Sequence, residues 1–161
     1  MTVEEYNRAV DTYADKLYRF VLKNLKNEHM SGDIVQETYE KLWVKLEGVS
    51  FLKVKTYLFT SAYHTMIDYI RKEKRYTGID SAKLGETSSS GHYSDLAEVL
   101  ERAVDNLPED QKSVVMLRDY EGYSYREIAE ITGLSESQVK VYIYRARIYL
   151  KNYIGSMEQV I

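Results

Sequence analysis

Residues 124–150 read Ser-Tyr-Arg-Glu-Ile-Ala-Glu-Ile-Thr-Gly-Leu-Ser-Glu-Ser-Gln-Val-Lys-Val-Tyr-Ile-Tyr-Arg-Ala-Arg-Ile-Tyr-Leu. The stretch holds two helix starts with a stop between them. Ser124 and Glu127 are spaced as a capping box, in which each side chain satisfies a backbone N–H left unpaired at a helix N-terminus. They predict a short helix from Tyr125 to Thr132, with Ile128, Ala129 and Ile131 apolar. Gly133 and Leu134 predict a tight turn. Ser135 and Gln138 repeat the box spacing and predict a longer helix to about Asn152. A short helix, a glycine turn and a longer helix describe a helix-turn-helix, whose second helix enters the major groove of DNA.

Helical periodicity divides that second helix. At 100° per residue, Val139, Tyr142, Ile143, Ala146 and Leu150 share one face, the expected core face. Ser137, Val141, Tyr144 and Ile148 point the opposite way, and Gln138, Lys140, Arg145 and Arg147 sit on the flanks. Between residues 135 and 152 four Lys/Arg oppose one acid, Glu136, so the helix is a basic element in a chain of net charge −3. Its N-terminal residues Ser137, Gln138, Lys140 and Val141 are the candidates for base edges. Gln can pair with adenine, Lys with guanine, and Val can meet a thymine methyl. Arg145 and Arg147 lie one to two turns later and are expected nearer the phosphates. The competing expectation for Arg147 is an ion pair with Glu130.

Working outward, the remainder is also helical. Hydrophobic residues make up 44% of the 161, and there are one proline and eight glycines, too little punctuation for a sandwich or barrel. Thr2 and Glu5 open a first helix whose stripe is Tyr6, Ala9, Val10, Tyr13, Leu17, Phe20, Val21 and Leu25. A second is expected from about Met30 to Leu46, with Ile34, Val35, Thr38, Tyr39, Leu42 and Trp43 as its apolar side. A third runs from about Val54 to Lys74 and ends in Arg71-Lys72-Glu73-Lys74-Arg75, cations that suit a helix C-terminus. Leu96 to Leu107 makes another stripe. Pro108, Glu109 and Asp110 then suit a helix start, and Gly122 its stop.

Between the halves, Thr77 to Ser94 has three glycines and five serines and no apolar period, the composition of a flexible linker. The fold class is therefore all-α: two small helical domains, 1–76 and 95–161, joined by a tether over 77–94. A surface loop within a single domain is the competing reading. Charge is uneven across these parts. Residues 1–77 carry 13 Lys/Arg against 11 Asp/Glu, 78–107 carry 2 against 6, and 108–161 carry 7 against 8.

Other chemistry is poorly provided for. Cysteine is absent, which removes disulfides, thiolate metal sites and thiol nucleophiles. His29, His64 and His92 lack metal-ligand spacing. No glycine loop could cradle a phosphate. No cofactor, metal or catalytic residue is expected, and no signal peptide or membrane span.

The ordered set of motifs resembles the extracytoplasmic-function (ECF) sigma factors of bacterial RNA polymerase. Asp-Ile-Val-Gln-Glu-Thr-Tyr-Glu-Lys-Leu-Trp (33–43) is similar to the family's region 2 helix that docks on the β′ clamp. Tyr57-Leu58 through Asp68-Tyr69-Ile70-Arg71 is similar to the helix that opens and reads the −10 element. Leu107-Pro108 through Ser124, Glu127-Ile128-Ala129, Gly133-Leu134-Ser135, Val139-Lys140 and Arg145-Ala146-Arg147 are similar to region 4, which binds the −35 element and the β flap. The resemblance implies a cytoplasmic transcription initiation factor with core polymerase and promoter DNA as partners and an anti-sigma factor as a possible third. It implies core contacts through Asp33, Gln36, Glu37 and Glu40. The −10 contacts would come from Tyr63, His64, Arg71, Lys72, Lys74 and Arg75, with Tyr63 available to stack on an unpaired base for about 1–3 kcal/mol. The −35 contacts would come from Ser137, Gln138, Lys140, Val141, Tyr144, Arg145 and Arg147. His64 stands where the family usually has Asn, and Gln138 where it often has Thr. The alternative is an autonomous helix-turn-helix regulator, which would bind its operator without polymerase, usually as a dimer on a palindrome.

Overall fold

Thr2 begins the first helix as its spacing predicts. Its hydroxyl accepts from Glu5 N–H, the Glu5 carboxylate accepts from Thr2 N–H, and α1 runs Val3–Leu25. In the computed structural model, which describes residues 1–77 and 96–160, α2 follows over Glu28–Val44 and α3 over Val54–Thr77. The second half holds α4 (Leu96–Asp105), α5 (Glu109–Val115), α6 (Tyr125–Thr132) and α7 (Glu136–Val160). No strand occurs among the described residues. The linker expected over 77–94 lies outside them, apart from Thr77.

Four helix bounds differ from the sequence reading, one of them the end of α3, at Thr77 and not near Lys74. Asn27 caps α2, its side-chain oxygen accepting from Met30 N–H at 2.9 Å, so the helix starts two residues before Met30. The same helix ends at Val44 and not near Leu46, and two short 3₁₀ turns, Leu46–Gly48 and Phe51–Lys53, lead to α3. At the other end of the chain α7 continues past Asn152 to Val160.

The first half is a three-helix unit around Leu17, Val21, Ile34, Leu42, Leu58 and Met66, all buried. Two of its buried polar side chains bond the backbone, while the buried Ser31 hydroxyl has no hydrogen-bond partner among the described residues. Tyr39 Oη donates to the Ala9 carbonyl at 3.0 Å, and Thr38 Oγ1 to the Ile34 carbonyl at 2.7 Å. Burial pushes the Tyr39 phenol above its ordinary range, so it stays a neutral donor. Trp43 corrects the expected apolar side of α2. It is 51% exposed, covered on one edge by Tyr6 at 5.1 Å between ring centres.

The second half wraps α4, α5 and α6 around α7, whose buried residues are Val139, Ile143 and Ala146. Tyr142 and Leu150 of the predicted core face are partly buried against them. Pro108 caps α5 without a side-chain bond, and Glu109 and Asp110 occupy its first turn. Beyond Val115 the helix widens into a π-helical turn over Met116–Tyr120, closed by Glu121 N–H to the Met116 carbonyl at 3.1 Å. Gly122, at φ +74°, ends it.

The helix-turn-helix folds as its spacing predicts. Both arms of the Ser124–Glu127 box are made, at 2.8 and 3.1 Å. Gly133 sits at φ +82° and its N–H reaches the Ala129 carbonyl. An added Cβ would meet nothing within 4 Å, so the penalty for a side chain here is conformational and not steric crowding. Gly133→Ala should therefore cost about 1–2 kcal/mol, the left-handed penalty of an L-residue. Urea unfolding should report it as a lower midpoint at constant slope. An unmoved midpoint would mean that the turn adopts another backbone path.

The halves share one core. Phe59 of α3 packs edge-to-face against Phe20 at 5.5 Å and against Tyr123 of the second half at 5.8 Å. Polar contacts join them as well. Ser113 Oγ donates to Asn24 Oδ1 at 3.1 Å, and Lys26 Nζ meets Asp105 Oδ2 at 2.8 Å. Lys112 is buried near this pair. Desolvation holds its ammonium below the usual lysine range, with Asp105 opposing the shift.

Candidate nucleic-acid interface

The outer face of α7 is set by how the helix begins. Ser135 Oγ accepts from Gln138 N–H at 3.1 Å, and Gln138 Oε1 accepts from Ser135 N–H at 3.0 Å. The box fixes the first turn, and burial of Val139, Ile143 and Ala146 fixes the rotation. Ser137, Lys140, Val141, Tyr144, Arg145 and Arg147 are all left exposed, and Tyr144 is 67% exposed. Gln138 is exposed too, but its side-chain oxygen is already engaged in the box. That oxygen keeps a second lone pair beside the free amide N–H₂, so a bidentate adenine pairing has to share the oxygen with the cap.

Two of the cations have neighbours. Lys140 lies 5.9 Å from the Tyr125 ring centre, a contact long enough to give up. Arg147 is paired, but not with Glu130. Its guanidinium donates to Asp119 Oδ1 at 2.9 Å, on the π-helical turn. Arg145 has no ion-pair partner among the described residues.

On α2, Asp33, Gln36, Glu37 and Glu40 form one exposed row. Glu37 pairs with Lys41 at 3.0 Å, and His29 Nε2 lies 3.5 Å from Asp33. These are solvent-facing i,i+4 pairs worth a few tenths of a kcal/mol each, easily exchanged for an external cation.

The α3 helix divides the residues expected to meet a melted strand. His64 and the terminal cluster Arg71, Lys72, Lys74 and Arg75 are exposed. Tyr63 is not: it is 7% exposed, edge-on to His64, and corrects the expectation of a presented stacking ring. Burial raises its phenol above the ordinary range, and the charges of Glu109 and Asp110 from the second half add to the effect. Lys74 Nζ reaches Glu109 Oε2 at 3.7 Å.

An exposed apolar surface beside these faces escaped the sequence reading. Trp43, Val44 and Leu52 flank the connection between α2 and α3, Leu52 being 93% exposed. The available signal was Phe51-Leu52 directly after the break at Gly48 and Ser50, an apolar pair in a segment too short for a helix face. No group of His, Asp and Glu suited to a metal occurs among the described residues, and no described helix is long and apolar enough to cross a membrane.

Comparison with known proteins matches each half to a family model. Residues 9–76 match the model of Sigma-70 region 2, and residues 97–150 that of Sigma-70, region 4. The ECF RNA polymerase sigma factor SigM of Bacillus subtilis is 30% identical over 156 residues, 94% of each chain. The RNA polymerase sigma factor SigV of the same organism is 33% identical over 141 residues, 85% of this chain and 83% of its own. The fold is that of the sigma factor RpoE in its complex with the anti-sigma factor NepR from Bartonella quintana. There the TM-score is 0.77 at 24% identity, over 95% of this chain and 98% of that one.

Proposed function

The chain belongs to the ECF sigma factors of RNA polymerase, and from that premise we propose which of its surfaces meet which partner. As a sigma factor it is a non-enzymatic transcription initiation factor that binds core RNA polymerase and promoter DNA. In our reading residues 1–76 dock on core and read the −10 element, 95–161 read the −35 element, and 77–94 tether the two. The row Asp33, Gln36, Glu37 and Glu40 docks on the β′ clamp. His64, Arg71, Lys72, Lys74 and Arg75 take the −10 strand, with Tyr63 joining them only when uncovered. Ser137, Gln138, Lys140, Val141, Tyr144, Arg145 and Arg147 face the −35 duplex, and the same half meets the β flap. The protein works in the cytoplasm, where polymerase and promoters are, and an anti-sigma factor is a possible third partner.

The observation that carries this reading is the single α7 face combining exposed Ser137, Lys140, Val141 and Tyr144 with a capped, fixed N-terminal turn. Run-off transcription with purified core on promoter fragments of the same genome tests it. Transcripts should require both proteins. Tight duplex binding by the protein alone at physiological salt would instead favour the autonomous regulator.

Within the α7 face the roles separate by mutation. Lys140→Ala in the holoenzyme should cost about 1–3 kcal/mol and relax preference at one −35 position. Arg145→Ala should weaken all promoters alike and reduce the salt slope by about 1, the value of one phosphate contact. Saturation mutagenesis of the −35 element reads both. An intact base-preference profile in Lys140→Ala would shift the register of the helix in the groove.

A further inference from the structure

The two arginines of α7 are held in different ways. Arg145 has no ion-pair partner among the described residues, whereas the Arg147 guanidinium donates to Asp119 Oδ1 at 2.9 Å. The π-helical turn over Met116–Tyr120 brings Asp119 alongside α7. Turns of this kind are rare and recur at functional sites. Both side chains of the pair stay about half exposed, so it is worth about twofold to fivefold and can be exchanged. Arg147 also shares a flank with Lys140. At 100° per residue the two lie about 20° apart around the helix and about 10 Å apart along it, while Arg145 lies on the other flank.

We propose that Asp119 is a positioning residue that sharpens −35 specificity by withholding Arg147 from DNA until the bases fit. This rests on the reading of α7 as the −35 face. A phosphate contact is available on every sequence, so an unrestrained arginine strengthens right and wrong sites alike. Restraint makes the contact conditional. When Lys140 reaches a base edge the helix is seated, and the flank they share brings Arg147 against the backbone two turns later, where phosphate displaces the carboxylate. On a wrong sequence α7 is not seated, and Arg147 stays with Asp119. Specificity is a difference of affinities, and weakening the wrong complex raises it as well as a new base contact does. The sizes suit the exchange. One phosphate contact, at a slope of about −0.9, is worth about eightfold at 0.1 M relative to 1 M salt. That exceeds the exposed pair, so phosphate wins wherever it comes within reach.

The test uses holoenzyme on a promoter found by run-off and on the same fragment with its −35 element scrambled. Binding of each labelled fragment is titrated from about 50 to 200 mM salt. Asp119→Asn removes the charge with little change of shape. At 0.1 M salt it should strengthen the scrambled fragment about eightfold and the matched one about twofold to fivefold, lowering the preference by about twofold to fourfold. The salt slope should steepen by about 0.9 on the scrambled fragment alone, since Arg147 already meets phosphate on the matched one. Adding Arg147→Ala should remove the gain, and Asp119→Glu should keep the parent's preference and both slopes. Weaker binding of both fragments would make Asp119 a support of the fold and overturn the proposal. An equal gain on both, or one that survives Arg147→Ala, would reduce Asp119 to a negative charge beside DNA and overturn it as well. A parent preference unmoved by Asp119→Asn would overturn the proposal alone. A parent that does not prefer the matched fragment would overturn the −35 reading of α7 and the proposal with it.

Discussion

Core RNA polymerase should no longer co-purify with the Asp33→Lys, Glu37→Lys variant. Both carboxylates sit on the exposed row of α2, on the half matched by Sigma-70 region 2. If the row meets a basic surface on core, each reversal replaces an attraction with a repulsion. Like charges placed against one another across an interface cost several kcal/mol. Two such positions predict a loss of affinity of about 100-fold or more, at 1.4 kcal/mol per tenfold. Folding should be nearly untouched, because the pairs lost inside the protein, His29 with Asp33 and Glu37 with Lys41, are solvent-facing. An unchanged far-ultraviolet helical spectrum with no run-off product is the expected pair of observations. Full retention of core binding would remove α2 from the interface.

The second large effect belongs to Phe59. It is fully buried and touches an aromatic ring in each half, Phe20 and Tyr123. Truncating a buried phenylalanine costs about 3–5 kcal/mol in transfer and cavity terms together. At about 2–4 °C per kcal/mol for a chain of this size, Phe59→Ala should melt about 6–20 °C below the parent. The cooperativity should change as well. Trp43 fluorescence reports only the first half, while circular dichroism reports all the helices. The two curves should coincide in the parent and separate in the variant, as expected when a shared core is cut. Val141→Ala, on the exposed face of α7, should stay within about 0.5 kcal/mol and serves as the reference. A Phe59→Ala melting shift of only a degree or two would mean that the halves do not depend on this contact.

What the sequence made legible was local. Capping boxes join residues three apart, so Thr2–Glu5, Ser124–Glu127 and Ser135–Gln138 could be read directly, and all three are made. The exposed row on α2 was legible for the same reason: charges at helical spacing opposite a core stripe have nowhere else to go. What was not legible depends on partners far along the chain. Arg147 chose Asp119, 28 residues away, over Glu130, because the π-helical turn brings Asp119 alongside α7. Nothing in Met116–Tyr120 announces that turn. Tyr63 has core spacing and DNA-reading spacing at once, and its burial follows the arrangement of the two halves. Trp43 failed differently. Periodicity assigns it the core face of α2, but it lies in the last turn, where one neighbouring ring covers only one edge.

The shared core also sets a schedule for synthesis. Phe59 leaves the ribosome 64 residues before Tyr123, the ring that completes its packing. At about 5–20 residues per second, that gap lasts about 3–13 s. During it the three-helix unit can fold, but an aromatic patch that the rest of the chain will cover faces solvent. Lys23, Lys26 and Lys55 surround the same face, so the unfinished protein carries its own charged fence around the sticky spot. Charges of one sign around an apolar patch disfavour its contact with the same patch on a second unfinished copy.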